Sequence, residues 1–207
     1  LNSLNTLKKS QHHKLNIIFI TQRQNIFFVN FVKKKLSNNI EYKILESSKN
    51  NIPHSRNLYL NYIRKKKFQY GGFLDDDCII DSLWLINMIK FINNHKCDIV
   101  GGPQKHLFKN IEFKKFYELI EPKRQNGLIV DWIATNNSFF KSKVIKDNKI
   151  KFDENLVNYG GSDQLFFKLL SKRKYLIRWN LNSLVFENYQ ESREKNIWFF
   201  KRNLRYG

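Results

Sequence analysis

Tyr70-Gly71-Gly72-Phe73-Leu74-Asp75-Asp76-Asp77 is the stretch on which the reading of this chain turns. Its first five residues are apolar or small and read as a buried strand, and three adjacent carboxylates close it. Like charges at a strand end repel one another and shift each other's titration unless a cation or a set of donors lies among them. A divalent metal carrying a substrate diphosphate meets that need, because Mg²⁺ is commonly held by one or two carboxylates plus phosphate oxygens. A solvated acidic turn is the alternative reading.

Outward from this stretch, short apolar strands alternate with longer amphipathic segments, the pattern of an α/β sheet flanked by helices. Upstream, residues 1–9 read as the end of a helix, 15–21 as a strand, 26–36 as a helix and 40–45 as a strand. Pro53 and Ser55 then open a further helix. Downstream, Leu83, Leu85, Ile86, Ile89 and Ile92 line one face of a helix over 82–92, with Trp84 on the neighbouring face. A short strand over 98–100 is closed by Gly101-Gly102-Pro103. Residues 105–127 are basic and aromatic with weak periodicity, and are expected to form a mobile or acceptor-facing loop with a short helix. Residues 128–133 and 137–140 read as strands, 162–170 as a helix, 175–179 and 183–186 as strands, and 196–206 as a basic terminal helix. With no repeat, linker or composition break, residues 1–207 are expected to form one domain.

The formal charge is +19, from 37 Lys and Arg against 18 Asp and Glu. Such a surface attracts polyanions, whether nucleic acid, anionic lipid or diphosphate substrates. No RNA-recognition, zinc-finger or helix-turn-helix signature accompanies it, so nucleic acid is not an expected partner. Cys78 and Cys97, the two cysteines, form neither a disulfide framework nor a zinc spacing and fit a reducing, cytoplasmic compartment. No stretch approaches the roughly 18 consecutive apolar residues of a membrane span, and no signal peptide is evident. A soluble or peripheral protein is expected.

In an open α/β sheet, ligands collect at the carboxyl ends of strands, where Asp75 to Asp77 would lie. A second constellation, Asn158-Tyr159-Gly160-Gly161-Ser162-Asp163, uses two glycines for a tight turn and brings Asp163 to the opening of a helix. Asp163 is a candidate base, with ordinary helix capping as its alternative.

Taken in order, Asn51-Ile52-Pro53-His54-Ser55-Arg56-Asn57, Gly72 to Asp77, Trp84-Leu85, Gly101-Gly102-Pro103, Thr135-Asn136-Asn137, Phe152-Asp153-Glu154 and Tyr159 to Asp163 resemble a family 2 glycosyltransferase. The likeness is to the bacterial surface-polysaccharide type, similar to the succinoglycan glucosyltransferases, and runs from about residue 40 onward. It implies a GT-A, Rossmann-like mixed sheet and inverting transfer of a hexose from a nucleotide-diphosphate sugar, UDP-sugar favoured, to a saccharide or lipid-linked hydroxyl acceptor. Asp75 and Asp77 match the ends of the family's DxD motif. Asp77 would hold Mn²⁺ or Mg²⁺, Asp75 would contact the ribose or the metal's water shell, and Asp76 would support them. Arg56 and Asn57 match the donor-binding Ala-Arg-Asn segment, and Asp163 matches the base. Trp84 and Asn137, with Gly160 and Gly161, match the positions shaping the sugar and acceptor site. A core tryptophan and a satisfied buried amide are the alternatives for the first two. Arg193, Trp198 and Arg202 fall where relatives carry a basic aromatic segment near the acceptor, with a solvated basic helix as the alternative. The resemblance also implies work at the cytoplasmic membrane face, with an anionic membrane surface as a further partner.

Three features depart from the family pattern. The opening strand with its Pro-Thr-Tyr-Asn-like end is expected to be missing, leaving the domain N-terminally incomplete. Thr21-Gln22-Arg23-Gln24-Asn25 supplies no carboxylate where a nucleoside-binding aspartate is usual, and Ser162 stands in place of the glutamate before the base. A truncated or degenerate domain that binds nucleotide or glycan without turnover is the competing functional reading.

Overall fold

The computed structural model describes residues 1–8, 13–22, 26–120, 123–157, 160–189, 193–195, 197, 198 and 200. In chain order the elements are α1 (Asn2–Asn5), β1 (Asn16–Gln22), α2 (Ile26–Lys35), β2 (Glu41–Ser47), α3 (Ile52–Arg64), β3 (Tyr70–Leu74), β4 (Cys78–Ile80), α4 (Trp84–Asn94), β5 (Ile99–Gly101), β6 (Gln104–Leu107), α5 (Ile111–Ile120), β7 (Asn137–Lys141), α6 (Ser162–Lys172), β8 (Ile177–Trp179) and β9 (Val185–Asn188). Single 3-10 turns lie at Ser142–Ile145 and Glu154–Val157.

Helices cover both faces of a central sheet ordered β3-β7-β5-β8, in which β7 runs against the other three strands and β5 and β8 are the one adjacent parallel pair. Side chains alternate across a strand, so adjacent residues serve opposite cores. Phe140 of β7 and Ile99 of β5 join Tyr59, Leu60 and Ile63 of α3 and Phe166, Phe167 and Leu170 of α6 on one face. Their neighbours Phe139 and Val100 join Trp84, Leu85, Met88 and Ile92 of α4 on the other. Two smaller sheets flank this layer, the parallel pair β1-β2 and the ribbon β4-β9-β6. Ile17 and Phe19 of β1 pack on Val32 and Leu36 beside α2, whereas Ile18 and Ile20 turn toward the α3 core.

Helix entry follows local chemistry. Asn51 caps α3 by accepting from the His54 N–H at 2.9 Å, and Pro53 occupies the first turn, where its missing N–H costs nothing. The helix expected over 82–92 starts at Trp84, because Asp81 accepts the Leu83 N–H through its side chain and the Trp84 N–H through its carbonyl. Three expectations need correction. Residues 105–127 contain β6 and a ten-residue α5, capped by Asn110, whose side chain accepts from the N–H groups of Glu112 and Phe113. Residues 128–133 form no strand: they touch β8 at the single bridge Ile129–Arg178 and then dive to bury Ile133 under Gly101. The helix expected over 1–9 is the short turn α1, and the one expected over 196–206 lies largely outside the described residues.

Candidate active site

The carboxyl ends of β3, β5 and β8 and the start of β7 share one edge of the central sheet, since Leu74 pairs with Asn137, and Gly101 with Ser138 and Trp179. Asp75, Asp76 and Asp77 project from this edge in the turn to β4, closed by the Cys78 N–H donating to the Asp75 carbonyl at 3.2 Å. All three are exposed residues. The Asp75 carboxyl is nevertheless raised above the ordinary range, first by desolvation, with the charges of Asp77, Asp76 and Asp163 adding to it against the opposing Arg56 guanidinium. That field brings Asp163 electrostatically to the acidic turn, across 88 residues of chain.

Arg56 is the physical bridge between them. From α3 its guanidinium lies 3.9 Å from Asp75 Oδ1, reaches Ser162 Oγ at 3.4 Å and rests 5.5 Å over the Phe152 ring. Ser162 and Asp163 form the first turn of α6, behind Gly160 and Gly161 at φ of 76° and 74°. Such left-handed backbone strains any residue with a Cβ, which explains the paired glycines. Gly161 is the cap residue and makes no side-chain cap bond. Asp163 therefore sits inside the first turn, with Oδ1 accepting from the Gln164 N–H at 3.0 Å. Asn158 and Tyr159 of the same motif lie outside the described residues.

Asn57, Trp84 and Asn137 are committed to the protein. The Asn57 amide accepts from the Phe152 N–H at 2.7 Å, donates to the Phe152 carbonyl at 2.9 Å and reaches Glu154 Oε1 at 3.3 Å. Trp84 Nε1 donates to Asn137 Oδ1 at 2.9 Å, and Asn137 Nδ2 donates to the carbonyls of Pro103 and Ser183 at 2.9 and 2.7 Å. A Cβ on Gly102 would collide with the Ser183 carbonyl, so glycine is required for this knot to close. Arg193 stacks 5.7 Å from the Trp198 ring, whose edge meets Tyr189, and Arg202 lies outside the described residues.

The structure adds groups that residue type alone does not disclose. Glu154 is a hub for Asn57, His54 and Lys49. Desolvation pushes its carboxyl up, but those hydrogen bonds and the His54 charge prevail, so its pKa lies below the ordinary value. Cys78 stays a neutral thiol, pushed up to about 12 by burial and then by Asp75, Asp77 and Glu187. Glu187 faces Cys78 across the β4–β9 ladder and accepts from Asn136 Nδ2 at 3.1 Å.

Among the described residues no group of three His, Cys, Asp or Glu side chains is placed to hold a metal ion. A hard cation completed by substrate phosphates needs only one or two carboxylates, and the raised Asp75 beside Asp76 and Asp77 is an excess of negative charge that a cation relieves. The acidic turn therefore fits Mn²⁺ or Mg²⁺ in the presence of a diphosphate.

The family profile described as Glycosyl transferase family 2 matches residues 1–162. The match begins upstream of the expected residue 40, takes in β1 and β2, and stops one residue before Asp163. No curated protein matches the chain. Among solved structures, S. aureus TarS residues 1-349 in complex with UDP-GlcNAc superposes with a TM-score of 0.67 at 17% identity, covering 92% of this chain and 54% of that one. A197 from STIV superposes at 0.55 with 20% identity, covering 86% and 87% of the two chains. GalNAc-T7 with UDP, GalNAc and Mn2+ superposes at 0.63 with 12% identity, covering 88% and 39%. This chain thus spans about half the length of the first of these, and the likeness at such identities is one of fold: the mixed α/β architecture of a GT-A domain.

Proposed function

The chain belongs to glycosyl transferase family 2, and from that premise we propose that it moves a hexose from a nucleotide-diphosphate sugar to a hydroxyl acceptor with inversion at the anomeric carbon. The observation that carries this reading is the convergence of Asp75, Arg56 and Asp163 from three distant segments on one sheet edge. UDP is the favoured nucleotide, because fold relatives were solved with UDP or UDP-GlcNAc bound.

Asp163 acts as the base: its carboxylate takes the proton of the acceptor hydroxyl as that oxygen attacks the anomeric carbon, and the nucleoside diphosphate leaves with the bonding electron pair. Arg56 offers a planar fork of donors to the phosphates, and its stacking on Phe152 fixes the fork's direction. Asp77 and Asp75 would hold Mn²⁺ or Mg²⁺, with Asp76 in support, and that ion would neutralise charge on the departing diphosphate. Gly160 and Gly161 let the acceptor approach the opening of α6. Asn57, Trp84 and Asn137 serve the donor and sugar sites by position, holding Phe152 and the sheet edge in place.

The setting we propose is surface-polysaccharide or glycolipid synthesis, peripheral on the cytoplasmic membrane face. No helix among the described residues is long and apolar enough to cross a membrane. In support of an anionic surface, α2 ends in Lys33, Lys34 and Lys35 and exposes Ile26, Phe27 and Phe31. Lysines near such a surface add about 1 kcal/mol each.

A thermal-shift panel of nucleotide diphosphates and their sugars, with and without Mn²⁺, tests the reading, since a ligand that binds only the folded state raises its stability. The expected result is a metal-dependent shift with UDP-sugars that Asp77→Asn abolishes. Unchanged binding by Asp77→Asn, with or without Mn²⁺, would show the metal assignment to be wrong. A donor that binds yet is never turned over with any hydroxyl acceptor would favour the binding-only domain.

A further inference from the structure

A second cluster lies along the same sheet edge, at the carboxyl end of β8, and the transfer described above leaves it unused. The Arg124 guanidinium lies over two indoles, 4.5 Å from the Trp179 ring centre and 5.6 Å from that of Trp132. All three residues are half-buried. Among the described residues no side chain or carbonyl accepts a hydrogen bond from the guanidinium or from either indole N–H, and no carboxylate reaches ion-pair distance of Arg124. Desolvation lowers the Arg124 pKa, against the raising charge of nearby Asp131.

This geometry is built rather than incidental. The loop carrying Arg124 is pinned to β8 by the Gly127 N–H donating to the Trp179 carbonyl at 2.8 Å, the Trp179 N–H to Leu128 at 2.9 Å and the Val130 N–H to Ile177 at 3.1 Å. Arg178 Nη1 adds a bond to the Gly127 carbonyl at 2.7 Å, and Gly127 turns the chain at φ 82°. A guanidinium held over indoles keeps its donors in one plane, where they suit a carboxylate or phosphate rather than a neutral hydroxyl. Exposed Leu128, Ile129 and Leu181 beside it offer apolar surface for the C–H faces of sugar rings. Strand β8 lies three strand positions from β3, so this cluster stands roughly 14 Å from the acidic turn, within reach of a short oligosaccharide. Trp132 and Trp179 also pack on the core that seats α6, the helix whose first turn carries Asp163.

We propose that Arg124, Trp132 and Trp179 form an acceptor subsite for an acidic saccharide, with the guanidinium taking its carboxylate or phosphate group and the indoles flanking its sugar rings. Calling the bound saccharide an acceptor rests on the transfer reading; its acidity rests on the cluster itself.

Calorimetry on the full chain with tetragalacturonate, an oligo(glycerol phosphate) and maltotetraose tests the subsite without requiring turnover. The expected result is that one or both acidic probes bind at least about ten-fold more tightly than the neutral one, the responding probe identifying carboxylate or phosphate. Arg124→Gln should erase that preference, Arg124→Lys should restore part of it, and a triple Lys33, Lys34 and Lys35→Gln variant should leave it intact. Circular dichroism confirms folding, and Trp179→Phe serves if Arg124→Gln does not fold. Acidic probes bound equally by wild type and Arg124→Gln, or lost equally in the triple lysine variant, would overturn the subsite. The nucleotide-plus-Mn²⁺ thermal shift on the same preparations separates the two readings: Arg124-dependent acidic binding by a wild-type protein that lacks this shift would overturn the acceptor assignment alone.

Discussion

Replacing Asn57 with leucine removes one amide that holds two ends of the site together. Phe152 is only 1% exposed, so its N–H and carbonyl have no water to turn to when the Asn57 partners at 2.7 and 2.9 Å disappear. Each orphaned buried group costs about 1–3 kcal/mol, so the pair is expected to cost roughly 4 kcal/mol. The third bond, to Glu154, adds little, because His54 and Lys49 still engage that carboxylate. In a chain of this size 1 kcal/mol moves Tm by about 2–4 °C, which predicts a fall on the order of 10 °C. The same change frees Phe152, which stacks 3.9 Å from Phe166 of α6 and supports Arg56, so transfer should fall as well. Thermal unfolding by circular dichroism reads the first effect and a sugar-transfer assay the second. Asn57→Asp is the diagnostic companion: it keeps an acceptor for the Phe152 N–H but sets a carboxylate against Glu154, so its defect should ease as pH falls. A melting point within about 2 °C of wild type for Asn57→Leu, with transfer intact, would refute the clamp.

Three further outcomes follow from the geometry. Asp163→Asn should keep the metal-dependent nucleotide shift while transfer drops by about 10²–10⁴-fold, the range for loss of a positioned base; equal turnover would remove Asp163 from that role. The two perturbed carboxyls should act with opposite sign on stability. Asp75 is raised in the folded state, so its contribution is present at low pH and lost as pH rises through its folded value; Asp75→Asn should raise Tm at neutral pH without metal. Glu154 is lowered, so its contribution is present above its unfolded value and lost as pH falls through the folded one; Glu154→Gln should flatten the acid limb of Tm against pH. Melting curves from pH 3 to 8 check both, and curves parallel to wild type would contradict them. Phe27→Ser with Phe31→Ser should abolish co-flotation with anionic vesicles in low salt, whereas flotation equal to wild type would exclude α2 as the contact.

Periodicity made the larger elements legible. Short apolar runs announced β1 and β3, and Leu83, Leu85, Ile86, Ile89 and Ile92 announced α4, although the stripe that the helix buries is Trp84, Leu85, Met88, Phe91 and Ile92. Of the ribbon β4-β9-β6 only β9 was legible, as the strand read over 183–186; β4 is three residues long, and β6 reads Gln-Lys-His-Leu with no apolar face to detect. In the site, residue type and spacing brought forward Asp75 and Asp163, and the family resemblance added Arg56, but neither disclosed what each side chain touches. Trp84 and Asn137 have the composition of a sugar site, yet their polar atoms are spent on one another and on two carbonyls. Glu154 closes the Phe152-Asp153-Glu154 segment of the family resemblance but has no role assigned by it, and Arg124 carries no motif at all. Their importance lies in neighbours 97–105 residues away for the first and in a stacking geometry for the second, neither of which a local window contains.

The Glu154 hub also sets a clock. Asn57 and Lys49 wait for partners 95 and 105 residues further along the chain, so α3 emerges from the ribosome with its binding face unmatched. At translation rates of about 5–20 residues per second that wait lasts roughly 5–20 s, far longer than a helix takes to form. Contacts of such long range also slow the closing step. The nascent first half is thus expected to linger as a basic, aromatic, half-assembled sheet that needs shelter, and mutations weakening this hub should lower soluble yield before they are felt in the activity of the molecules that do fold.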